Sequence, residues 1–369
     1  MKELRIKDIC DKGSSNLKQK DVEGKNGQYP VYGASGIISH IDTYHQEENY
    51  IAIVKDGSGI GRVTFMPAKS SIIGTMQYIL PKEGFNINYI GYCLQSLDLS
   101  KYKQGAAIPH IYFKDYGERI VKVTEDTKEQ QSIVDYFDSA FAKIEAMKAN
   151  AEKALNEAKA LFQASLKEML EPKEEWEEKK LGDICSDIRY GTSTPSNENG
   201  EYKYLRMNNI TNDGFLDVSH YKTISLPEKE LEKCLVKKGD IIFNRTNSRE
   251  LVGKSCVFTE DENMVIAGYL IRIRLKEGFE PQFITYNMNL QRSMGLFQHL
   301  IVGAVHQANI SANNIQKVLI SYPPLSEQQS IVSALDSLKS KVDKLQENYD
   351  KISQECDALK QAILRQVFE

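Results

Sequence analysis

Arg and Asn side chains in polar loops are the groups of this chain best suited to bind the edges of nucleic-acid bases. The run at residues 244–249 follows an apolar, β-branched stretch that predicts a strand. Arg pairs bidentately with guanine and Asn with adenine, because each presents two polar groups at the spacing of the base edge. The candidate contact residues of the second half are Arg189, Arg206, Asn208, Asn209, Asn244, Arg245, Thr246, Asn247, His306 and Gln307.

The first half has polar loops of the same kind at corresponding places, within residues 29–33, 55–62 and 105–110. A structural turn is the more typical interpretation of any one of these loops, since they are rich in Gly and Pro. Their recurrence at matching places in both halves favours a shared binding role. The candidate contact residues here are Tyr32, Lys55, Ser58, Arg62 and His110.

Motifs for catalysis or metal binding are missing from the sequence. Gly253-Lys254-Ser255 would need a glycine five residues earlier to form a phosphate-binding loop, and Ser248 occupies that position. The six cysteines form no Cys-x-x-Cys pair, and the six histidines have no thiol or carboxylate cluster around them. We therefore expect no catalytic residue, no metal and no cofactor on this chain.

The charge distribution limits how strongly the chain could bind a polyanion by itself. The net charge is −4 and the pI about 6.0. Counted on the sequence, residues 1–126 carry 16 Lys and Arg against 15 Asp and Glu, and residues 181–324 carry 16 against 16. Since phosphate neutralisation dominates DNA affinity, we expect weak DNA binding by the isolated chain.

The composition is that of a globular chain long enough for two domains. The 369 residues are 41% hydrophobic and 27% charged. The first residues carry charges where a secretory leader has its apolar run, and no apolar stretch approaches the roughly 20 residues of a membrane helix. We expect a cytoplasmic protein that does not associate with membranes.

An internal repeat organises the chain. Residues 128–171 align without a gap onto 326–369 at an offset of 198, through the shared run Glu-Gln-Gln-Ser-Ile-Val. Asp-Ile-Cys recurs near the start of each half at an offset of 175, so the second half is longer by 198 − 175 = 23 residues. The chain is therefore interpreted as a tandem duplication.

Each repeated tail predicts a long helix, because apolar residues alternate at steps of three and four. The predicted fold is α+β: two tandem blocks at 1–126 and 181–324, helices at 127–171 and 325–369, and a linker at 172–180. The helices should pair as an antiparallel coiled coil. Its predicted seam residues are Phe137, Ile144, Leu161, Leu335, Leu338, Val342, Leu345, Ile352 and Leu359.

Residues 303–310 and 318–332 resemble the junction between a target-recognition domain and its helix in specificity subunits of type I restriction-modification systems. Residues 239–242 and 253–254 also resemble that family, as do 29–33, 56–59 and 105–111 in the first half. The resemblance covers essentially the whole chain. It departs at residues 123–127, which replace the Pro-Pro-Leu hinge of the second half, so a differently built first junction is expected.

The resemblance implies two target-recognition domains that each bind one half of an asymmetric, bipartite double-stranded DNA site. It also implies two methyltransferase partner subunits that carry S-adenosylmethionine and methylate adenine, with restriction subunits as an optional addition. Two alternatives stay open: an enzyme that acts on DNA directly, and a duplicated protein-interaction scaffold without base readout. Turnover of DNA by the purified chain would support the enzyme. The absence of a DNA footprint from the assembled complex would support the scaffold.

Overall fold

The structure is a computed structural model that describes residues 1–105, 109–304 and 307–369. It divides into two compact units, residues 1–154 with 347–369 and residues 155–346. The cut falls within the two long helices, so each unit contains one predicted α+β block and part of both helices. Among the described residues, none of the helices has the length and apolar character needed to cross a membrane.

The first unit combines short strands with one medium helix and parts of the long helices. Its strands are β1 (Lys2–Arg5), β2 (Cys10–Ser14), β3 (Tyr29–Gly33), β4 (Gly36–Ile41), β5 (Tyr50–Val54), β6 (Val63–Met66), β7 (Ser71–Ile72), β8 (Met76–Pro81) and β9 (Ile120–Val123). Its helices are α1 (Ile6–Ile9), α2 (Gln19–Val22), α3 (Ile87–Ser96), α4 (Phe113–Tyr116) and the start of α5 (Thr127–Met169), with a 3-10 turn at Leu99–Tyr102.

The second unit repeats this series and adds further strands. Its strands are β10 (Glu177–Lys180), β11 (Cys185–Tyr190), β12 (Tyr202–Leu205), β13 (Lys222–Ile224), β14 (Leu235–Val236), β15 (Ile241–Asn244), β16 (Thr246–Asn247), β17 (Ser255–Val257), β18 (Met264–Ile266), β19 (Leu270–Leu275), β20 (Val302–Ala304), β21 (Gln307–Asn309) and β22 (Leu319–Tyr322). Its helices are the end of α5, α6 (Leu181–Ile184), α7 (Glu228–Cys234), α8 (Pro281–Ser293), α9 (Ala312–Ile315) and the first half of α10 (Leu325–Phe368), with 3-10 turns at Met207–Asn209 and Gln298–Leu300.

The two units share their sheet topology. The four-stranded antiparallel sheet has the order β2-β8-β5-β6 in the first unit and β11-β19-β15-β17 in the second. A second sheet contains one parallel pair in each unit, β3 with β7 and β12 with β18. A two-stranded antiparallel ribbon pairs the start of each block with its end, as β1-β9 and β10-β22. The duplication read from the sequence is therefore also a duplication of the fold.

The central strands are fully buried, and apolar except for Asn244 at the end of β15, because each separates two cores. In β5, Ile51 and Ile53 belong to the core packed on α3 and the long helices, while Tyr50, Ala52 and Val54 face a second core. Successive side chains of a strand point to opposite faces, so a strand covered on both sides is a continuous apolar run. In β15, Ile241 and Phe243 face one core and Ile242 faces the other.

The long helices α5 and α10 run antiparallel within each unit. In the first unit Lys360 pairs with Glu145, and Lys148 Nζ lies 3.6 Å from Asp357 Oδ1, so rising numbers on one helix meet falling numbers on the other. In the second unit Lys159 Nζ donates a 2.8 Å hydrogen bond to Gln346 Oε1. The predicted antiparallel pairing is confirmed in both units.

The apolar seam between the helices departs from the prediction at two positions. Phe137, Ile144, Leu335 and Val342 are buried, and Leu338, Leu345 and Ile352 are partly buried. Leu161 and Leu359, however, are 58% and 47% exposed. A regular α-helix drifts by about 20° per heptad from a strict 3.5-residue repeat, which amounts to about 60° after three heptads. Because of that rotation, Phe162 lies on the buried face of α5 where Leu161 was predicted. On α10 the buried residues are Leu364 and Phe368, and Leu359 is exposed.

The predicted linker at 172–180 is partly regular structure. Glu177–Lys180 forms β10 and pairs with β22, and Trp176 is buried with its ring 5.9 Å from that of Phe283. All four side chains of β10 are exposed, as expected of a charged run. The missed strand consists of Glu and Lys, which have low β-propensity, and it exists because β22 offers it a pairing edge.

A buried glutamine joins each long helix to the block that precedes it. Gln328 is fully buried: its Oε1 accepts a 2.9 Å hydrogen bond from the Glu280 backbone N–H, and its Nε2 donates to the Pro323 carbonyl at 2.9 Å. Gln130 makes the same contacts with the Asn86 N–H and the Thr124 carbonyl, at 2.7 and 3.0 Å. We call this arrangement the glutamine clamp.

The glutamine clamp corrects the expectation that the first junction is built differently. Six positions separate Thr124 from Gln130 and five separate Pro323 from Gln328, so the first hinge is one residue longer. The extra residue is absorbed before the helix, where Asp126 Oδ1 accepts a 2.8 Å hydrogen bond from the Lys128 N–H. The hinge sequences therefore differ while the buried contacts are the same.

The glutamine clamp predicts a large stability difference between two adjacent glutamines. Gln328→Ala should lower the free energy of unfolding by about 2 kcal/mol or more, because each orphaned buried polar group costs about 1–3 kcal/mol. Gln329→Ala is the matched control: the side chain is exposed, and the change should stay within about 0.5 kcal/mol. Urea unfolding of both variants measures the difference, and equal midpoints would contradict the clamp.

The observed helix seam predicts different stability losses for substitutions at the adjacent residues Leu161 and Phe162. Phe162→Ala should destabilise the protein by about 3–5 kcal/mol, since it opens a cavity in a buried cluster. Leu161→Ala removes an exposed side chain and should change stability by less than about 0.5 kcal/mol. Thermal and urea unfolding would distinguish the two, and a larger loss for Leu161→Ala would restore the original seam.

Candidate nucleic-acid interface

A cationic cleft lies beside the strand ends of the second unit. Its volume is about 610 Å³, and three cations, Arg206, Lys222 and Arg245, line it. The cleft also contains hydroxyl groups and two aromatic rings, and its lining within the described residues includes neither Asp nor Glu. The residues that complete the lining are Thr192, Ser193, Thr194, Pro195, Ser196, Tyr204, Thr246, Gly268 and Tyr269. This combination suits a polyanion with flat, stackable groups.

Arg245 is held rigidly at one side of the cleft. Its Nη2 donates to Asn309 Oδ1 at 2.9 Å and its Nη1 to the Gly268 carbonyl at 3.3 Å. The guanidinium also lies 4.8 Å from the centroid of the Tyr190 ring. An Arg fixed by hydrogen bonds and stacking loses little further conformational entropy when it binds. Its Nε is buried without a partner among the described residues.

Arg206 and Lys222 approach the cleft from the second sheet. Arg206 follows β12, and its backbone N–H donates to Asn209 Oδ1 at 2.8 Å, which fixes the turn. Its Nε is buried without a hydrogen-bond partner among the described residues. Lys222 begins β13, paired with β12, and its side chain is exposed. The parallel pairing of β12 with β18 sets where both cations emerge.

In the first unit the candidate loops converge at the end of β5. The His110 ring Nδ1 is hydrogen-bonded to Asp56 Oδ1, and the Gly57 N–H donates to the Pro109 carbonyl at 3.1 Å. The Arg62 guanidinium donates to the carbonyl of Ala34, in the turn that follows β3. Three loops that are distant in sequence therefore form one surface.

Lys55 and Arg245 occupy equivalent backbone positions. The Lys55 N–H donates to Thr75 O and the Arg245 N–H to Tyr269 O, both at 3.0 Å. Their carbonyls accept from the N–H groups of Ile111 and Ile310, at 3.0 and 2.9 Å. Each unit thus presents a cation directly after the central strand of its four-stranded sheet.

Two predicted contact residues are buried instead. Asn209 is 2% exposed, and its Nδ2 donates at 2.7 Å to the carbonyls of Asp217 and His220. Asn244 is fully buried on the strand face that points into the core with Ile242. Neither amide can reach a base edge, because strand alternation and turn formation direct both inward.

The other candidates lie at the surface or partly below it. Ser58, Arg62, Arg189, Asn208 and Gln307 are exposed, whereas Tyr32, Lys55, His110, Arg206, Arg245, Thr246 and Asn247 are half-buried. Part of their polar capacity is used within the protein: Arg189 Nε donates to Asp187 at 2.8 Å, and Thr246 Oγ1 accepts from Asn309 at 3.2 Å. His306 lies outside the described residues.

The cleft includes residues that the polar runs of the sequence did not reveal. Lys222 and Tyr269 line it, and Asn309 orients Arg245. The segment around Lys222 has neither a turn motif nor a second candidate base contact, so the sequence gives no signal there. The pairing of β13 with β12 brings Lys222 to the cleft. Asn309 belongs to the run that resembles the known family, yet its partner is 64 residues away.

Lys254 has no role at this surface. It is 5% exposed, and its Nζ donates to the Ile210 carbonyl at 2.8 Å. Burial lowers the pKa of this ammonium group, and the nearby Arg292 acts in the same direction. Across the described residues, no group of three or more His, Cys, Asp or Glu side chains could hold a metal ion.

Comparison with known proteins identifies the family. The profile of the type I restriction modification DNA specificity domain matches residues 1–157 and 173–354. The chain is 27% identical over 166 residues, 44% of its length, to a putative type I restriction enzyme specificity subunit of Methanocaldococcus jannaschii. It is 26% identical over 256 residues, 65% of its length, to the EcoKI specificity subunit of Escherichia coli K12. These alignments span only 39% and 55% of the two relatives.

Solved structures share the fold at low sequence identity. One chain, from a structural study of assembly and conformational transition in the type I R-M system, gives a TM-score of 0.74 at 18% identity and covers 99% of this chain and 97% of its own. The HsdS subunit from Thermoanaerobacter tengcongensis gives 0.56 at 17% identity, covering 100% and 96%. Because the profile covers both halves, with their matching sheets and glutamine clamps, the chain belongs to the type I restriction modification DNA specificity domain family.

Proposed function

We propose that this chain is the DNA-recognition subunit of a type I restriction-modification complex and performs no chemistry itself. The observation that carries the proposal is the cationic cleft of the second unit, whose described lining contains Arg206, Lys222 and Arg245 but neither Asp nor Glu. A cleft of one charge sign concentrates the opposite charge, and DNA phosphates are the polyanion that the family association indicates.

The partners and cofactor follow from the same proposal. Two methyltransferase subunits carry S-adenosylmethionine and methylate adenine at the site that this chain selects, and restriction subunits join them where cleavage occurs. The near balance of charge in both blocks means that this chain supplies few phosphate contacts of its own. The partner subunits then provide most of the salt-dependent affinity, while this chain provides sequence discrimination.

The two units should bind different half-sites. Their sheets match, but the second unit has a three-stranded antiparallel sheet of order β16-β21-β20 directly after Arg245. At the equivalent place the described residues of the first unit have the Asp56–His110 contact and two isolated bridges, Asp56 with His110 and Gln104 with His110. Surfaces of different composition on one framework bind different bases, so the target is bipartite and asymmetric.

If the chain were a protein-interaction scaffold, the surface of the cationic cleft should have a different composition. A protein-binding surface has an apolar centre depleted of charged residues. The cleft instead gathers three cations, two of which, Arg206 and Arg245, have a buried Nε without a partner among the described residues. A footprint of the assembled complex on DNA distinguishes the two functions.

Methylation sequencing of the genome tests the proposal. Deleting the gene for this chain, with the methyltransferase partner present, should abolish adenine methylation at one split motif whose halves are separated by a fixed gap. Re-expression should restore the same motif. A methylome that is unchanged by deletion, in cells where the complex is shown to be produced, would contradict the proposal.

The cleft predicts a specific effect of removing one cation. Lys222→Ala should weaken DNA binding by the assembled complex to a similar degree on every sequence, because a Lys contact to phosphate carries no base information. The slope of log K against log salt should become less steep by about 0.9 for one lost B-DNA phosphate contact.

Lys229→Ala is the matched control, since this exposed lysine lies in α7 and does not line the cleft. Its salt slope should equal that of the unmodified complex. Fluorescence anisotropy over a salt series measures both variants. If Lys222→Ala leaves the slope unchanged, the cleft does not bind the phosphate backbone.

A further inference from the structure

The Asp56–His110 pair lies on the loop surface of the first unit and is held by several contacts. His110 Nδ1 is hydrogen-bonded to Asp56 Oδ1, and the two side chains are 26% and 25% exposed. The Tyr112 ring packs on the imidazole with its centroid 4.0 Å away, and Lys114 Nζ lies 5.3 Å above that Tyr ring. The imidazole is thus held by a hydrogen bond at one edge and by an aromatic ring on one face.

The carboxylate determines which nitrogen of the neutral ring carries the proton. An ionised carboxylate only accepts, so Nδ1 must donate to Asp56. Nε2 then keeps a free lone pair and acts as an acceptor. The hydrogen bond that the His110 ring makes to a described residue is the one from Nδ1 to Asp56. The pair therefore leaves one oriented acceptor at the surface.

An acceptor beside a carboxylate is unsuited to phosphate. The Asp56 charge repels a phosphate oxygen. Phosphate contacts in this unit fall to the cations nearby, Lys55 and Arg62. An acceptor suits the exocyclic amino group of adenine or cytosine, which is a donor in the major groove.

The second unit uses different chemistry at the same backbone position. Ile111 and Ile310 donate to the equivalent carbonyls, so His110 and Asn309 are equivalent residues. Asn309 donates to Thr246 Oγ1 and accepts from Arg245 Nη2, at 3.2 and 2.9 Å. In the second unit Asn309 positions the cation of Arg245. In the first unit the equivalent residue, His110, is itself positioned by Asp56 as a hydrogen-bond acceptor.

We infer that His110 Nε2 accepts a hydrogen bond from an exocyclic base amino group, of adenine or cytosine, in the half-site bound by the first unit, with Asp56 as the positioning residue. This inference rests on the proposed function and assigns one base contact within it. The carboxylate acts only through the ring, by fixing its tautomer and orientation.

The test uses the complete complex with its methyltransferase subunits. Methylation rates are measured on duplexes that differ by one base pair at each position of the target in turn. The variants are His110→Ala, His110→Gln and Asp56→Ala, with His40→Ala as a matched control. His40 lies in β4, outside these loops.

His110→Ala should reduce discrimination at one position of one half-site by about fivefold or more, the value of losing a good base contact. Discrimination at all other positions should stay as in the unmodified complex. Asp56→Ala should lose discrimination at that same position, because the ring is no longer held. His110→Gln should retain part of it, since the amide oxygen supplies an acceptor. His40→Ala should change none of these values.

Three results would overturn the inference. Unchanged discrimination in His110→Ala would show that the ring does not contact a base. A uniform loss at all positions would indicate a phosphate or structural role, and His110→Gln decides the matter if the alanine variant does not fold. A preference for guanine at the affected position would require a donor. Failure of the proposed function differs from all three, because the unmodified complex would then methylate no split motif.

Discussion

The buried glutamine clamp is the contact on which the geometry of each unit depends. Gln130 and Gln328 each receive a backbone N–H from the turn before the medium helix and donate to the carbonyl at the end of the block. Their side chains satisfy buried groups that neither helix nor sheet can satisfy. The amide oxygen and the amide nitrogen of each glutamine are both hydrogen-bonded to the preceding α+β block. These contacts fix the direction of the long helix relative to that block. The Tyr286 hydroxyl extends this connection with a 2.6 Å hydrogen bond to Asp336, two turns further along the helix.

A rigid framework of this kind permits its loops to vary. The loops after β5 and β15 start from equivalent backbone hydrogen bonds, yet one carries an Asp–His pair and the other an Arg held by Asn309 and Tyr190. Binding residues commonly occupy loops on a fixed scaffold, since loop changes leave the core packing intact. Recognition in each unit can therefore change by loop substitution, without repacking the sheets or the helix pair.

Sequence patterns located this framework well and individual side chains poorly. The exact repeat of Glu-Gln-Gln-Ser-Ile-Val indicated two equivalent helices, and their antiparallel pairing is observed. The seam prediction erred at Leu161 and Leu359, because a fixed heptad step ignores the drift of a regular helix. The sequence predicts a base contact at Asn209, because Asn in a polar run has the right groups. In the folded chain its amide closes a turn, where all of those groups are already used.

The amino-acid sequence alone predicts the duplication, the α+β class, the two long helices and the family resemblance. These properties depend on local periodicity or on runs of adjacent residues, which need no knowledge of distant contacts. Tertiary structure alone decided that Arg206, Lys222 and Arg245 share one cleft, that Asn244 points inward, and that Asp56 lies against His110. Strand pairing joins segments as far as 145 residues apart, and strand alternation then assigns each side chain to the core or to the surface.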